Sequence, residues 1–204
     1  MKNTTVIGGL LIIWGGALLA GFALLMDYSH APGSSADADP QWPDSSSITP
    51  SDDQGTLVLF AHPRCPCTRA TLGEIERLLR HVRGDVEAHV VFLRPEGQGR
   101  TWVESSDLWQ RAAGWPYAQV HVDPSGQEAR RFGAYTSGQV LYYDAEGRLR
   151  FDGGITASRG HEGQNKGRQA LHQLITTGAA STHSTPVFGC ALYSSASSSA
   201  SSWD

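Results

Sequence analysis

Cysteine is the side chain best suited to do chemistry in this sequence, and it occurs at Cys65, Cys67 and Cys190. The first two flank Pro66 in "LFAHPRCPCTRATLGEIERLL", Leu59 to Leu79, where an apolar strand pattern gives way to a helical one. Proline has no backbone N–H and a φ near the helical value, so it suits the first position of a helix. It also drives the preceding residue out of the helical region. Pro66 therefore predicts Cys65 as a helix N-cap, with Cys67 in the first turn. Unpaired N–H groups and the positive end of the helix dipole lie there, and both favour thiolate over thiol. Arg64 and Arg69 flank the pair and are expected to act in the same direction. A thiolate so placed is what thiol–disulfide exchange requires.

Other chemistry is open to the same residues. Positions two apart hold their Cα atoms about 5.5–7 Å apart, overlapping the upper disulfide range, so Cys65 and Cys67 can bond in a small, strained ring. Soft thiolates also take Cu(I) or Zn, and His62 lies three residues before Cys65. No CxxC pair or paired-histidine motif supports a closed zinc site, so copper on Cys65, Cys67, His62 and Cys190 is the metal alternative. Free cysteines are often simply buried, but an Arg-flanked helix start suits that role poorly. Cys190 stands in "STPVFGCAL", an apolar island between polar stretches. A wholly disordered tail has no use for Pro186, Val187, Phe188 and Leu192. Ser184 to Leu192 is therefore expected to dock back on the domain, bringing Cys190 to the pair as a resolving thiol or a third ligand.

The elements that must position these thiols alternate. Thr56 to Ala61 is a short apolar run fit for a central strand, and Thr68 to Val82 is an amphipathic helix. Val86 to Leu93 is a second strand, and Trp102 to Ala113 a helix ending before Gly114 and Pro116. Ala118 to Val122 and Gln127 to Phe132 read as a strand and a short helix. Gln139 to Tyr143 and Leu149 to Phe151 form a hairpin around "DAEGR", which has Asp and Gly where a tight turn wants them. Gly163 to Thr176 is the last helix. The polar "SRGHEGQNKGR", Ser158 to Arg168, reads as a solvated loop at the sheet edge. This order predicts an α/β domain with a mixed central sheet.

Outside that domain the pattern changes. The chain has 204 residues and a net charge of −4 without a basic block. Nucleic acid is thereby excluded as the main partner, since phosphate binding needs clustered Lys and Arg. Val6 to Met26 is an uncharged apolar run of 21 residues, enough to cross a bilayer core of ~30 Å as a helix. A cleaved signal has an apolar core of only ~7–15 residues. Lys2 precedes the span, so Met1 to Thr5 is expected in the cytoplasm and the rest outside it, on the periplasmic side. Thiols there are not held reduced by default. Asp27 to Gln54 reads as a flexible Ser/Pro/Asp-rich tether, Gly55 to Gly178 as the folded domain, Ala179 to Tyr193 as the docking tail, and Ser194 to Asp204 as a disordered Ser/Ala tail.

With strand, cysteine turn and helix in view, "LVLFAHPRCPCTRATLGEIERLL" resembles the thioredoxin superfamily. Phe60 to Cys65 matches the family's spacing from strand aromatic to attacking cysteine. "GQVLYYDAEGRLRFDGGI" is similar to the strand, turn and strand of membrane-anchored TlpA/ResA-type thioredoxins, where a D-x-x-G-R turn recurs. The "CPC" turn, "GGITASRGHEGQNKGR" and the late "FGC" look more narrowly like RedB-like thioredoxin-fold proteins. The resemblance covers Gly55 to Thr177. It implies a thioredoxin-like fold and a redox site in which Cys65 attacks and Cys67 or Cys190 resolves. It also implies partners that carry thiols or disulfides, with no cofactor, or copper in the alternative. Two departures stand out. The turn is one residue shorter than CxxC, and Gly138 occupies the position of the family's cis-proline.

Overall fold

Every residue from Gly55 to Ala61 is buried, and that stretch forms β1, an inner strand of the sheet. The structure is a computed structural model and describes residues 2–34, 38–82 and 84–193. β1 pairs in parallel with β2 (Val86–Arg94), which pairs in parallel with β3 (Gln119–Pro124). On its other side β1 meets β4 (Gln139–Tyr143) antiparallel, followed by β5 (Leu149–Gly153) antiparallel. A strand absent from the sequence reading, β6 (Ser184–Thr185), adds to β5 in parallel. The six-stranded order is β3-β2-β1-β4-β5-β6, the mixed sheet that the element order predicts.

Successive side chains of a strand point to opposite faces, and both faces of β1 are covered. Leu57, Leu59 and Ala61 pack with Leu72, Ile75, Leu79, Leu171 and Leu174 on one side. Those partners come from α2 (Pro66–His81) and α6 (Lys166–Thr177). The single helix expected over Trp102 to Ala113 is two, α3 (Arg100–Glu104) and α4 (Asp107–Ala113). Ser106 stops the first and caps the second, its Oγ accepting the Trp109 N–H at 3.2 Å.

The opposite face corrects the expectation of a flexible tether. Val58 and Phe60 pack there with Phe132, Leu141 and Tyr143, beside α5 (Gln127–Arg131). Ala38 and Ile48 from the supposed tether are buried in the same cluster. Trp42 stands edge-on to Phe132 and Tyr143, at 4.9 and 5.1 Å between ring centroids. Glu128 accepts the Ser46 hydroxyl at 2.8 Å and the Ser47 N–H at 3.0 Å. With only the short α5 on that face, the apolar strand surface needs a lid. The segment from Ala38 to Ile48 supplies it through isolated apolar residues that have no periodicity to betray them.

The N-terminal residues form a unit of their own. α1 (Lys2–His30) is one helix of 29 residues, and Val6–His30 is long and apolar enough to cross a membrane. The helix runs on past Met26, where the apolar run ends. The Ser/Ala tail expected from Ser194 to Asp204 lies outside the described residues.

Candidate active site

β1 ends at Ala61 and α2 begins at Pro66, so the cysteine turn projects from an inner strand of the sheet. Cys65 is the N-cap of α2, with φ −83° and ψ 116°, and Pro66 opens the helix as the proline rule predicts. Its carbonyl accepts the Thr68 N–H at 3.1 Å. The side chain is 1% exposed.

The tertiary structure selects Cys190 as the neighbour of Cys65. Their sulfurs are 2.6 Å apart, so a disulfide of ordinary ~2.05 Å length needs about half an ångström of movement. All three cysteines are free thiols here. Hydrogen bonding by the Cys190 thiol, and then by Thr68, pulls Cys65 far below the ordinary thiol range against the opposing effect of burial. Cys190 is pushed up in return, first by holding its proton toward Cys65 and then by burial. Burial and the charge on Cys65 push Cys67 up, while Arg159, hydrogen-bonded to the Cys67 sulfur, partly offsets them.

Ser137, which the sequence reading passed over, ties the site together. Its hydroxyl accepts the His62 N–H at 2.7 Å and shares a 2.6 Å hydrogen bond with Thr68. Its own N–H donates to the Cys190 carbonyl at 2.8 Å. Gly138 follows with φ +97°, a left-handed conformation suited to glycine. Its N–H donates to the Phe60 carbonyl at 2.7 Å. No cis peptide bond occurs among the described residues, so the Ser137–Gly138 step joins β4 to the site in trans. A serine before a glycine is a common loop pair, and no sequence signal separates this one from the rest.

The tail lies directly over this step. Thr136 and Ala191 form an antiparallel bridge, and the Leu192 N–H donates to the Tyr135 carbonyl at 2.9 Å. Val187, Phe188 and Leu192 are buried. Gly189 permits the approach, because a Cβ there would fall 1.8 Å from the Ser137 carbonyl oxygen.

Two expectations about charge are corrected. Arg64 lies over the Trp102 ring at 4.4 Å from its centroid, and Arg69 pairs with Asp107. Neither is among the groups that set the thiol protonation. The cation that acts on the thiols is Arg159, from the loop expected to be solvated, and it lowers Cys67 against the larger effects of burial and Cys65. Glu74 on α2 is fully buried; it accepts the Gly163 N–H at 2.8 Å and pairs with Arg168 at 2.8 Å. This anchors the loop against α2 and brings Arg159 to the thiols, where its Nη1 donates to the Gly189 carbonyl at 2.7 Å. His62 faces the Trp102 ring edge-on, and its Nδ1 accepts the Arg64 N–H at 3.2 Å. Burial lowers its pKa. Among the described residues no three His, Cys, Asp or Glu side chains are grouped to hold a metal ion.

Three parallel strands, an antiparallel pair and a cysteine-capped helix leaving β1 together make the architecture recognisable. The fold is thioredoxin-like. No family model matches the chain, and no curated protein matches it. Solved structures do. An uncharacterized conserved protein from Geobacillus kaustophilus is 16% identical over 82% of this chain and 94% of its own, with a TM-score of 0.57. A hypothetical protein from Sinorhizobium meliloti, SMc02350, is 20% identical over 82% of this chain and 97% of its own, with a TM-score of 0.54. The exposed lipoprotein thioredoxin Etrx1 of Streptococcus pneumoniae is a looser likeness. It is 20% identical over 61% of this chain and 84% of its own, with a TM-score of 0.43. At these identities the likeness is one of fold.

Proposed function

We propose that this protein is a membrane-tethered, extracytoplasmic thiol–disulfide oxidoreductase, RedB-like within the thioredoxin superfamily, with Cys65 as the attacking thiol and Cys190 as the resolving one. The observation that carries this reading is the 2.6 Å approach of the Cys190 sulfur to a helix-capping Cys65. Its partners are proteins that carry thiols or disulfides.

The chemistry runs in two exchanges. The Cys65 thiolate attacks one sulfur of a partner disulfide; a Cys65–partner disulfide forms, and the second partner sulfur leaves as a thiolate and takes up a proton. Cys190 then loses its proton and attacks the Cys65 sulfur. The Cys65–Cys190 bond forms, and the remaining partner sulfur leaves and is protonated. The partner gains two electrons and the protein loses two; the reverse sequence oxidises a partner dithiol. Timing follows from the hydrogen bond. Cys190 is held protonated chiefly by its bond to Cys65, and that hold ends once Cys65 is tied up in the mixed disulfide. A resolving thiol that ionises only after the first step suits the order of events.

Exchange with a model disulfide tests the assignment. Cys65→Ser abolishes turnover, and Cys190→Ser accumulates the mixed disulfide on Cys65, visible by mass spectrometry. Activity of Cys65→Ser equal to the parent's overturns the reading, and an adduct that accumulates only in Cys67→Ser moves the resolving role to Cys67.

A further inference from the structure

Cys65 is 1% exposed, yet exchange requires a third sulfur to reach it. What stands in the way is the protein's own tail. We propose that Pro186 to Leu192 is a redox-latched cover. Bonded to Cys65 through Cys190, it is locked over the Tyr135–Ser137 edge. With both thiols free, as here, it rests on that edge through noncovalent contacts alone and yields it to an extended, cysteine-bearing segment of a partner protein. The proposal rests on the oxidoreductase reading, which supplies the partner.

The tail sits as a bound strand sits. Ser137 donates to the Cys190 carbonyl at 2.8 Å, and Leu192 donates to the Tyr135 carbonyl at 2.9 Å. Both bonds are backbone to backbone, so any extended chain with a cysteine in the register of Cys190 can repeat them. Apart from the sulfur contact, the tail is held by the buried Val187, Phe188 and Leu192, by the Thr136–Ala191 bridge and by further polar ties, all of them noncovalent. Arg159 donates to the Gly189 carbonyl at 2.7 Å, Gly33 donates to the Val187 carbonyl at 2.8 Å, and β6 is two residues long. A short terminal segment held by noncovalent contacts opens locally at less than the free energy of global unfolding. A covalent bond to Cys65 blocks that opening. When a dithiol reductant attacks the Cys65–Cys190 bond, two protein thiols form, the reductant becomes a disulfide, and the block is gone.

Amide hydrogen exchange on the full-length protein in detergent tests this, read on peptides spanning Tyr135 to Ser137 and Pro186 to Leu192. After treatment with excess dithiothreitol, exchange at Ser137 and Leu192 should quicken at least ~10-fold while β1 and β4 stay unchanged. Gly189→Ala cannot seat the tail, and its amides at both positions should exchange fast whether the protein is oxidised or reduced. A cysteine peptide activated as a thionitrobenzoate disulfide, trapped on Cys65 in Cys190→Ser, should protect Ser137 again and leave Leu192 fast. Equal protection before and after reduction overturns the cover alone, provided the Cys65–Cys190 bond is seen to form. So does an adduct in which Leu192 stays protected. If no Cys65–Cys190 bond forms under oxidation, the oxidoreductase assignment falls and the latch with it.

Discussion

At the scale of single residues, the site depends on a few atoms whose importance comes from where they are held. Cys65 caps α2 because of a local rule: Pro66 starts a helix, and the residue before it caps that helix; hydrogen bonds from Cys190 and then Thr68 favour its thiolate. Ser137 matters through its hydroxyl and its N–H, and Gly189 through a missing side chain. Arg159 is the cation of the site, hydrogen-bonded to Cys67 and to the Gly189 carbonyl. Replacing it with glutamine removes the positive charge that lowers Cys67. The Cys67 thiol then titrates at higher pH, so iodoacetamide labels it more slowly at pH 8, with Cys65 labelling as the internal control. An unchanged Cys67 titration counts against this role. Arg64 and Arg69 were the residues that sequence proximity favoured; stacking on Trp102 and pairing with Asp107 take them out of play. Nearness along the chain is a poor guide to the field at a thiol, because a long side chain goes to its best partner.

At the scale of elements, strands and helices follow their apolar periods closely, and the differences fall where polar residues act. Ser106 divides one expected helix into two. The parallel pair β2 and β3 carries a second such feature. His89, 2% exposed, has its Nδ1 3.0 Å from Nε2 of His121 on β3. Burial, and then the neighbouring histidine, lower the His89 pKa from 6.5 to about 4. Between those values the unfolded chain binds a proton that the folded protein does not. The stabilisation is therefore whole above pH 6.5 and is lost as the pH falls toward 4. By pH 5 the loss is about 2 kcal/mol. Urea unfolding at pH 7.5 and pH 5 measures it, and His89→Leu should flatten the difference. An equally steep loss in that variant assigns the effect elsewhere.

At the scale of the whole molecule, an apolar helix and a domain of thioredoxin-like fold are joined in one chain. The helix α1 and the unit from Pro32 onward are separately compact. With a span of 25 residues from Val6 to His30, the full chain is expected to sediment with membranes and resist alkaline carbonate. A chain starting at Pro32 should stay soluble and keep the Cys65–Cys190 exchange. Extraction of the full chain by carbonate speaks against the anchor. The composition of Asp27 to Gln54 suggests a looser segment than the structure shows. Ala38 and Ile48 cover one face of the sheet together with Leu192 from the tail, whose Val187 and Phe188 are buried as well.

By itself the sequence determined the α/β order, the apolar N-terminal helix and the cysteine-capped start of α2. Each of these follows from local rules: period, length and the geometry of proline. Only the tertiary structure decided that Cys190 meets Cys65, that Ser137 joins the strand end to the turn, and that Arg159 supplies the charge. Those residues lie 125, 72 and 94 positions from Cys65 along the chain. Their meeting depends on strand pairing, on the absent Cβ of Gly189, and on the buried Glu74 that anchors the Arg159 loop. A spacing in the sequence does not encode contacts of that range, because they exist only when the whole sheet has closed.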